Sequence, residues 1–253
     1  MSDEVLVDVA DGVATVTLNR PEKRNALNSV IIDHLPPAVS EASQRSDVSA
    51  IVVTGAGRGF CAGLDLDELS TTGANLGLPK GPYGWPWVSA VPVIGAINGP
   101  AIAGGFELAV HCDILIASHD AVFGDTHARI GQLPGAGLTV RLVQLVGIQR
   151  ARLLCLSSRV IDAATAAQWG LVSEVHPPGD LLEEAVSIGR DIASNDDRAV
   201  VALSEHFDLI AERAGDAGMA DLFERMESWN DQFEPTFVAE RRDETVDRTR
   251  RQL

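Results

Sequence analysis

The sequence predicts an α/β protein built on a βαβ core. Short β-branched runs alternate with segments of helical spacing, the pattern of parallel strands joined by helices. Glycine-rich turns follow three of the strand-like runs, at Gly55–Gly63, Gly99–Gly105 and Gly131–Gly137. From Asp180 onward the pattern is almost wholly helical. At 253 residues, 45% hydrophobic and 22% charged, the chain suffices for one large soluble domain or two small ones.

The elements follow in order. "EVLVDVADGVATVTLNRP" holds two alternating runs around Asp11-Gly12 and reads as a β-hairpin. "NALNSVIIDHL" reads as a helix that Pro36 and Pro37 should kink or end. "SAIVVTGAG" is a buried strand closed by glycines, and "FCAGLDLDELS" turns and begins a helix. Residues 71–90 carry Gly, Pro, Trp85 and Trp87 without periodicity and read as a loop with a short helical piece. "VPVIGAING" is a strand, followed by "PAIAGGFELAVHC" as turn and helix. "DILIAS" and "AVF" are strands, and "GLTVRLVQLV", "IQRARLLCLSS" and "DAATAAQWG" have helical spacing. "LVSEVHP" is a final short strand. No repeat or low-complexity segment is present.

Composition removes several function classes. The net charge of −16 argues against nucleic acid as a partner, because phosphates are repelled. A small anionic ligand would need local help from Arg, Lys or helix N-termini. No apolar run reaches membrane-spanning length, and the acidic "MSDEVLVDVADG" lacks the form of a signal peptide. Cys61, Cys112 and Cys155 are widely spaced, which argues against a disulfide framework or zinc site and makes a reducing cytoplasm the expected compartment. The histidines have no ligand spacing, and no metal site is expected; His111 and Cys112 read as packing.

Glu107 stands out. It sits in the otherwise mostly apolar run "AIAGGFELAVHCDILIAS", where burying a charge costs several kcal/mol unless it is paired, neutralised or in use. Either it turns out of an amphipathic helix into water, or it faces a pocket floored by Gly104 and Gly105. A helix starting at that Gly-Gly pair would present unpaired N–H donors at its positive end. Two such donors on one carbonyl oxygen stabilise an enolate, each worth about 3 kcal/mol. Glu107, one turn on, suits an acid or base beside the polarised carbonyl. The turn "TGAGRGFCAG" is neither a P-loop nor a dinucleotide fingerprint.

These residues carry a resemblance. "GRGFCAGLDLDEL", "PVIGAINGPAIAGGFELAVHCDILIAS" and "AVFGDTHARIGQLPGAG", with "LNRPEKRNALN" and "AATAAQWGLVSEV", are similar to the crotonase (enoyl-CoA hydratase/isomerase) superfamily over about Val5 to Arg242. The resemblance implies a spiral of ββα units over residues 1–195, holding an acyl-CoA site. It implies a helical C-terminal region over 196–253 that takes part in trimer formation, as a trimer or a dimer of trimers. It implies an oxyanion hole from the N–H groups of Leu64 and Gly104, with Ala103-Gly104-Gly105 where the family often has three glycines. Glu107 matches the first of two catalytic glutamates. The second position holds His127, a competent acid/base near neutral pH, with Asp125 two residues earlier as another carboxylate. Backbone at Ala26, Ala62 and Asp65 is implied to hold adenine and pantetheine. Arg20, Lys23 and Arg24 form a basic cluster beside that motif, and Lys23 and Arg24 are expected at the nucleotide end. Trp85 and Trp87 are candidates for an acyl pocket or for core packing.

The implied activity is hydration of a 2-enoyl-CoA through a thioester enolate, with coenzyme A entering only as part of the substrate. Alternatives are an enoyl-CoA isomerase or an aromatic acyl-CoA hydratase-lyase using the single acid Glu107, or a non-catalytic acyl-CoA-binding protein. General acyl-CoA hydrolysis is disfavoured, since no Ser or Cys nucleophile is placed with a base.

Overall fold

The structure is a computed structural model and describes residues 2–68, 86–130 and 133–212. Met1–Ser204 form one compact unit and Glu205–Leu253 another. Within the first, a six-stranded sheet runs in the order β1-β2-β3-β4-β6-β9 and a three-stranded one in the order β5-β7-β8. Their strands are β1 (Val5–Ala10), β2 (Val13–Leu18), β3 (Ala50–Gly55), β4 (Val93–Ile97), β5 (Ala101–Ile102), β6 (Ile114–Ser118), β7 (Val122–Gly124), β8 (Val160–Asp162) and β9 (Glu174–His176).

β1 and β2 form the expected hairpin, with Ala10 opposite Val13 and both turn residues, Asp11 and Gly12, at positive φ. Every other pairing in the large sheet is parallel. β3 is buried at each position because both faces are covered. Ile51 and Val53 enter the main core, while Ala50 and Val52 join Leu181 and Ala185 of α6 (Leu181–Ala193) on the opposite face. Leaving the large sheet, the chain repeatedly adds a short piece to a second layer. Cys61, after β3, bridges Ala101 in parallel. β5, after β4, pairs in parallel with β7, which follows β6. This alternation is the ββα spiral.

α1 (Ser29–Ser43) is capped by the Asn28 side chain, which accepts from the Ile31 N–H at 2.9 Å. Of the two outcomes expected at Pro36 and Pro37, a kink or an end, the helix does not end there: it continues six residues past Pro37. Its buried stripe of Ile31, Ile32, Leu35, Val39 and Ala42 packs in the core, and that packing outweighs the lost backbone bonds. Pro37 and the carbonyl it leaves without an N–H partner, that of Asp33, lie on the exposed side, where water can serve.

α2 (Gly104–Val110) is buried throughout. α3 (Leu138–Val146), α4 (Ile148–Ser157), α5 (Ala163–Trp169) and α7 (Asp197–Glu212) fall where helical spacing predicted them. β8 had no strand expectation. No described helix is long and apolar enough to cross a membrane. Trp87 is partly buried against the main core, whereas Trp85, most of the 71–90 loop and the chain after Glu212 lie outside the described residues.

Candidate active site

The second layer aligns three chain segments. Cys61 bridges Ala101, and β5 pairs with β7 through Ala101–Phe123 and Ile102–Gly124. All these pairings are parallel, so the chain leaves each at the same end. That end receives Gly63-Leu64, Ala103-Gly104 and Asp125–His127. The Ala103 N–H, donating to Gly124 O at 2.9 Å, ties the second segment to the third. Phe106 of α2 packs against Phe123 of β7, ring centroids 5.7 Å apart.

At this end the backbone is crowded. A Cβ on Gly105 would lie 2.1 Å from Cys61 O, so only glycine fits. A Cβ on Gly104 would lie 3.7 Å from Leu64 N. Gly104 opens α2, so its N–H has no partner within the helix, and among the described residues neither it nor the Leu64 N–H makes a backbone hydrogen bond. The Leu64 N–H and the backbone of Gly104 are therefore neighbours at this turn. Ala103 takes φ 48° and ψ −115°, a conformation strained for a residue with a Cβ.

Glu107 is 1% exposed and faces inward, not into water. Its Oε1 accepts from the Ala136 N–H at 2.7 Å, and its Oε2 lies 3.7 Å from His127 Nε2. Burial pushes its carboxyl above the ordinary value, opposed by the Ala136 N–H and by His127. His127 Nδ1 lies 2.7 Å from Asp125 Oδ1, which also accepts the His127 backbone N–H at 3.1 Å. Burial lowers the imidazole, but the Asp125 hydrogen bond and the charges of Glu107 and Asp125 outweigh it, and the net shift is upward. Asp125 is itself raised by burial but carried lower overall by its bonds from His127 and by the nearby Cys155 thiol. Burial and the neighbouring Asp125 carboxylate push the Cys155 thiol up to about 12, away from the reactive thiolate form.

Lys23, Ala26, Ala62, Leu64 and Asp65 line one pocket of about 270 Å³ with Ala103, Thr126 and His127. Five residues read from two separate motifs thus meet His127. Glu107 lies one step deeper, reached through His127, and Gly104 adjoins through Leu64. The 23–27 and 61–65 segments are stitched together by Ala62 N–H to Arg24 O at 3.0 Å and Leu27 N–H to Gly63 O at 2.8 Å. The bases of "RPEKR" divide. Arg20 bonds Asp65 at 2.6 Å and Ala26 O at 3.2 Å, within the scaffold. Lys23 pairs with Asp67 at 2.7 Å on the surface, and Arg24 is exposed. The buried Asp65 carboxylate also accepts from the N–H groups of Asp67 and Glu68, so its side chain holds the turn.

Sequence reasoning missed Ala136 and Cys155. Ala136 acts through its backbone, and its only signal is the glycine-rich "LPGAG" before α3. Two residues apart, Asp125 and His127 would share a face if they lay on a strand. β7 instead ends at Gly124, and the two meet in a tight turn. His111 is inward as expected, its Nδ1 2.9 Å from Glu107 O, with burial lowering its pKa. No metal-binding cluster occurs among the described residues.

Comparison with known proteins places the chain in a family. The family model for enoyl-CoA hydratase/isomerase matches residues 8–243. A probable enoyl-CoA hydratase of Mycobacterium tuberculosis is 37% identical over 88% of this chain and 87% of its own. A 2,3-dehydroadipyl-CoA hydratase of Escherichia coli is 37% identical over 86% of each chain. Among solved structures, an enoyl-CoA hydratase from Mycobacterium tuberculosis H37Rv superposes with a TM-score of 0.76 at 43% identity, covering 88% of this chain and 96% of that one. The chain belongs to the enoyl-CoA hydratase/isomerase family, the crotonase superfamily, and is a crotonase-type acyl-CoA enzyme.

Proposed function

We propose that the protein hydrates a 2-enoyl-CoA to the 3-hydroxyacyl-CoA. The observation that carries this is the 3.7 Å separation of Glu107 Oε2 and His127 Nε2. It is too long for a hydrogen bond between them, yet short enough for one water oxygen about 2.8 Å from each. Glu107 Oε1 is already occupied by the Ala136 N–H, so Oε2 is the oxygen left to accept from that water.

The thioester oxygen sits between the N–H groups of Leu64 and Gly104. Water adds its oxygen to C3 while Glu107 Oε2 takes one of its protons. The C2–C3 π electrons move toward the thioester, whose enolate oxygen the two N–H groups stabilise. Protonated His127 then gives its Nε2 proton to C2, and the proton on Glu107 passes back to the imidazole. One water is added and both side chains return to their starting forms. The upward shift of His127 favours the imidazolium that this order needs.

Lys23 and Arg24 serve the phosphates of coenzyme A, and backbone at Ala26, Ala62 and Asp65 lines the way to the thioester. Support comes from the pocket that Lys23, Ala26, Ala62 and Asp65 share with His127, although Lys23 also pairs with Asp67. The helical C-terminal region is assigned to a trimer or dimer of trimers, and the compartment to the cytoplasm, as expected from sequence.

The test is hydration of a short 2-enoyl-CoA, followed by loss of the conjugated thioester absorbance and by product mass, with Glu107→Gln as control. Turnover by wild type that the variant loses supports the reading. Double-bond migration without water uptake would make it an isomerase. Binding without any turnover over a panel of acyl-CoAs would leave a binding protein.

A further inference from the structure

His127 can serve as an acid through Nε2 only if its ring is aimed and Nδ1 keeps its proton when Nε2 gives one up. Two groups behind it bear on this. Asp125 Oδ1 lies 2.7 Å from Nδ1 and takes the His127 backbone N–H at 3.1 Å, so one carboxylate oxygen grips both ring and main chain. The Cys155 thiol, from α4, lies near the same carboxylate. Asp125 is 1% exposed and His127 4%, so water does not compete freely for these bonds. An ionised carboxylate has no proton to donate, so the shared proton in this bond belongs to Nδ1. Nε2 is thereby left on the far side of the ring, facing Glu107.

We propose that Asp125 is a positioning residue: backed by Cys155, it locks His127 as the Nδ1–H tautomer and points Nε2 into the reaction space beside Glu107. This deepens the hydratase reading and rests on it for the catalytic consequence, but the positioning itself is measurable without turnover. Asp125 also sustains the imidazolium against burial. The groups facing the ring are Asp125 from the turn after β7, Glu107 from α2, Cys155 through Asp125 from α4, and Lys23, Asp65 and Asp67 across the pocket. Asp125→Asn keeps the acceptor oxygen and removes the charge.

Two measurements on the full chain decide it. In the first, the His127 ring nitrogens are followed by ¹⁵N NMR against pH without substrate, assigned by their loss in His127→Gln. Wild type should show Nδ1–H in the neutral form and titrate above an ordinary histidine, and Asp125→Asn should titrate lower. A wild-type ring that carries its proton on Nε2, or titrates at or below the ordinary value, overturns the proposal whether or not any variant folds. In the second, kcat and KM for a short 2-enoyl-CoA are taken across pH 5–10. Asp125→Asn should lower kcat on the order of 10-fold or more at pH 8. Its alkaline limb should move to lower pH, and KM should change by less than about 3-fold. An unchanged pH profile in a folded variant overturns the proposal. Should wild type hydrate nothing while its ring titrates as expected, the hydratase reading fails and the positioning stands.

Discussion

Glu107, at 1% exposure, keeps a carboxyl that burial holds above its ordinary value. Between the ordinary and the raised value, the folded protein binds a proton that the unfolded chain has released. Stability therefore falls as pH rises through that window. Gln keeps an oxygen for the Ala136 N–H and has no charge to desolvate. Glu107→Gln is thus expected to melt at the same or a higher temperature than wild type at pH 8, while hydration falls on the order of 10²- to 10⁴-fold. A clear drop in melting temperature there would mean that the carboxylate holds the fold together. The two directions of shift also shape the rate. Activity should rise on an acid limb above the ordinary carboxylate range, as Glu107 ionises, and fall on an alkaline limb above the ordinary histidine range, as His127 loses its proton. A kcat/KM profile whose alkaline limb sits at the ordinary histidine value would contradict this. Glu107 was legible in sequence because a charge in an apolar run needs a reason. Ala136 was not, because a backbone donor 29 residues away leaves no trace in side-chain identity.

At the scale of elements, the turn into α2 is the informative one. Ala103 holds φ 48°, so Ala103→Gly should relieve strain and stabilise the protein by about 1 kcal/mol, after allowing for the extra freedom glycine has when unfolded. Turnover should stay within about 2-fold, since the Gly104 N–H keeps its place; chemical denaturation and kinetics on the same samples check both. Gly105→Ala is the opposite case. Its Cβ meets backbone at 2.1 Å and nothing nearby can rotate away, so loss of soluble protein or of several kcal/mol is expected. Strands with β-branched runs and helices with clear apolar spacing were readable. β8, with only Val160, Ile161 and Asp162, is too short to carry a period. α1 passed its two prolines because a buried stripe on both sides of them outweighs a local rule.

For the molecule as a whole, a net charge of −16 sets a repulsive field around an anionic substrate, and the basic cluster must work locally against it. Replacing Lys23 and Arg24 together by Ala should weaken acyl-CoA binding and flatten its salt dependence, read by calorimetry at two ionic strengths. Unchanged affinity would remove them from the site. The spiral itself was legible only through family resemblance, because which strand lies beside which depends on long-range register that composition does not encode. That register has a consequence for how such a site can change. In the proposed mechanism the segments that would grip the thioester are peptide groups wedged by exclusion, at Gly105 against Cys61, whereas the groups that would move protons are side chains at 107 and 127, with 125 as their support. Holding and reacting are therefore separately mutable. A combinatorial library at 125, 127 and 155 should yield altered chemistries on an unaltered scaffold, which makes this architecture an apt starting point for evolving new acyl-CoA reactions.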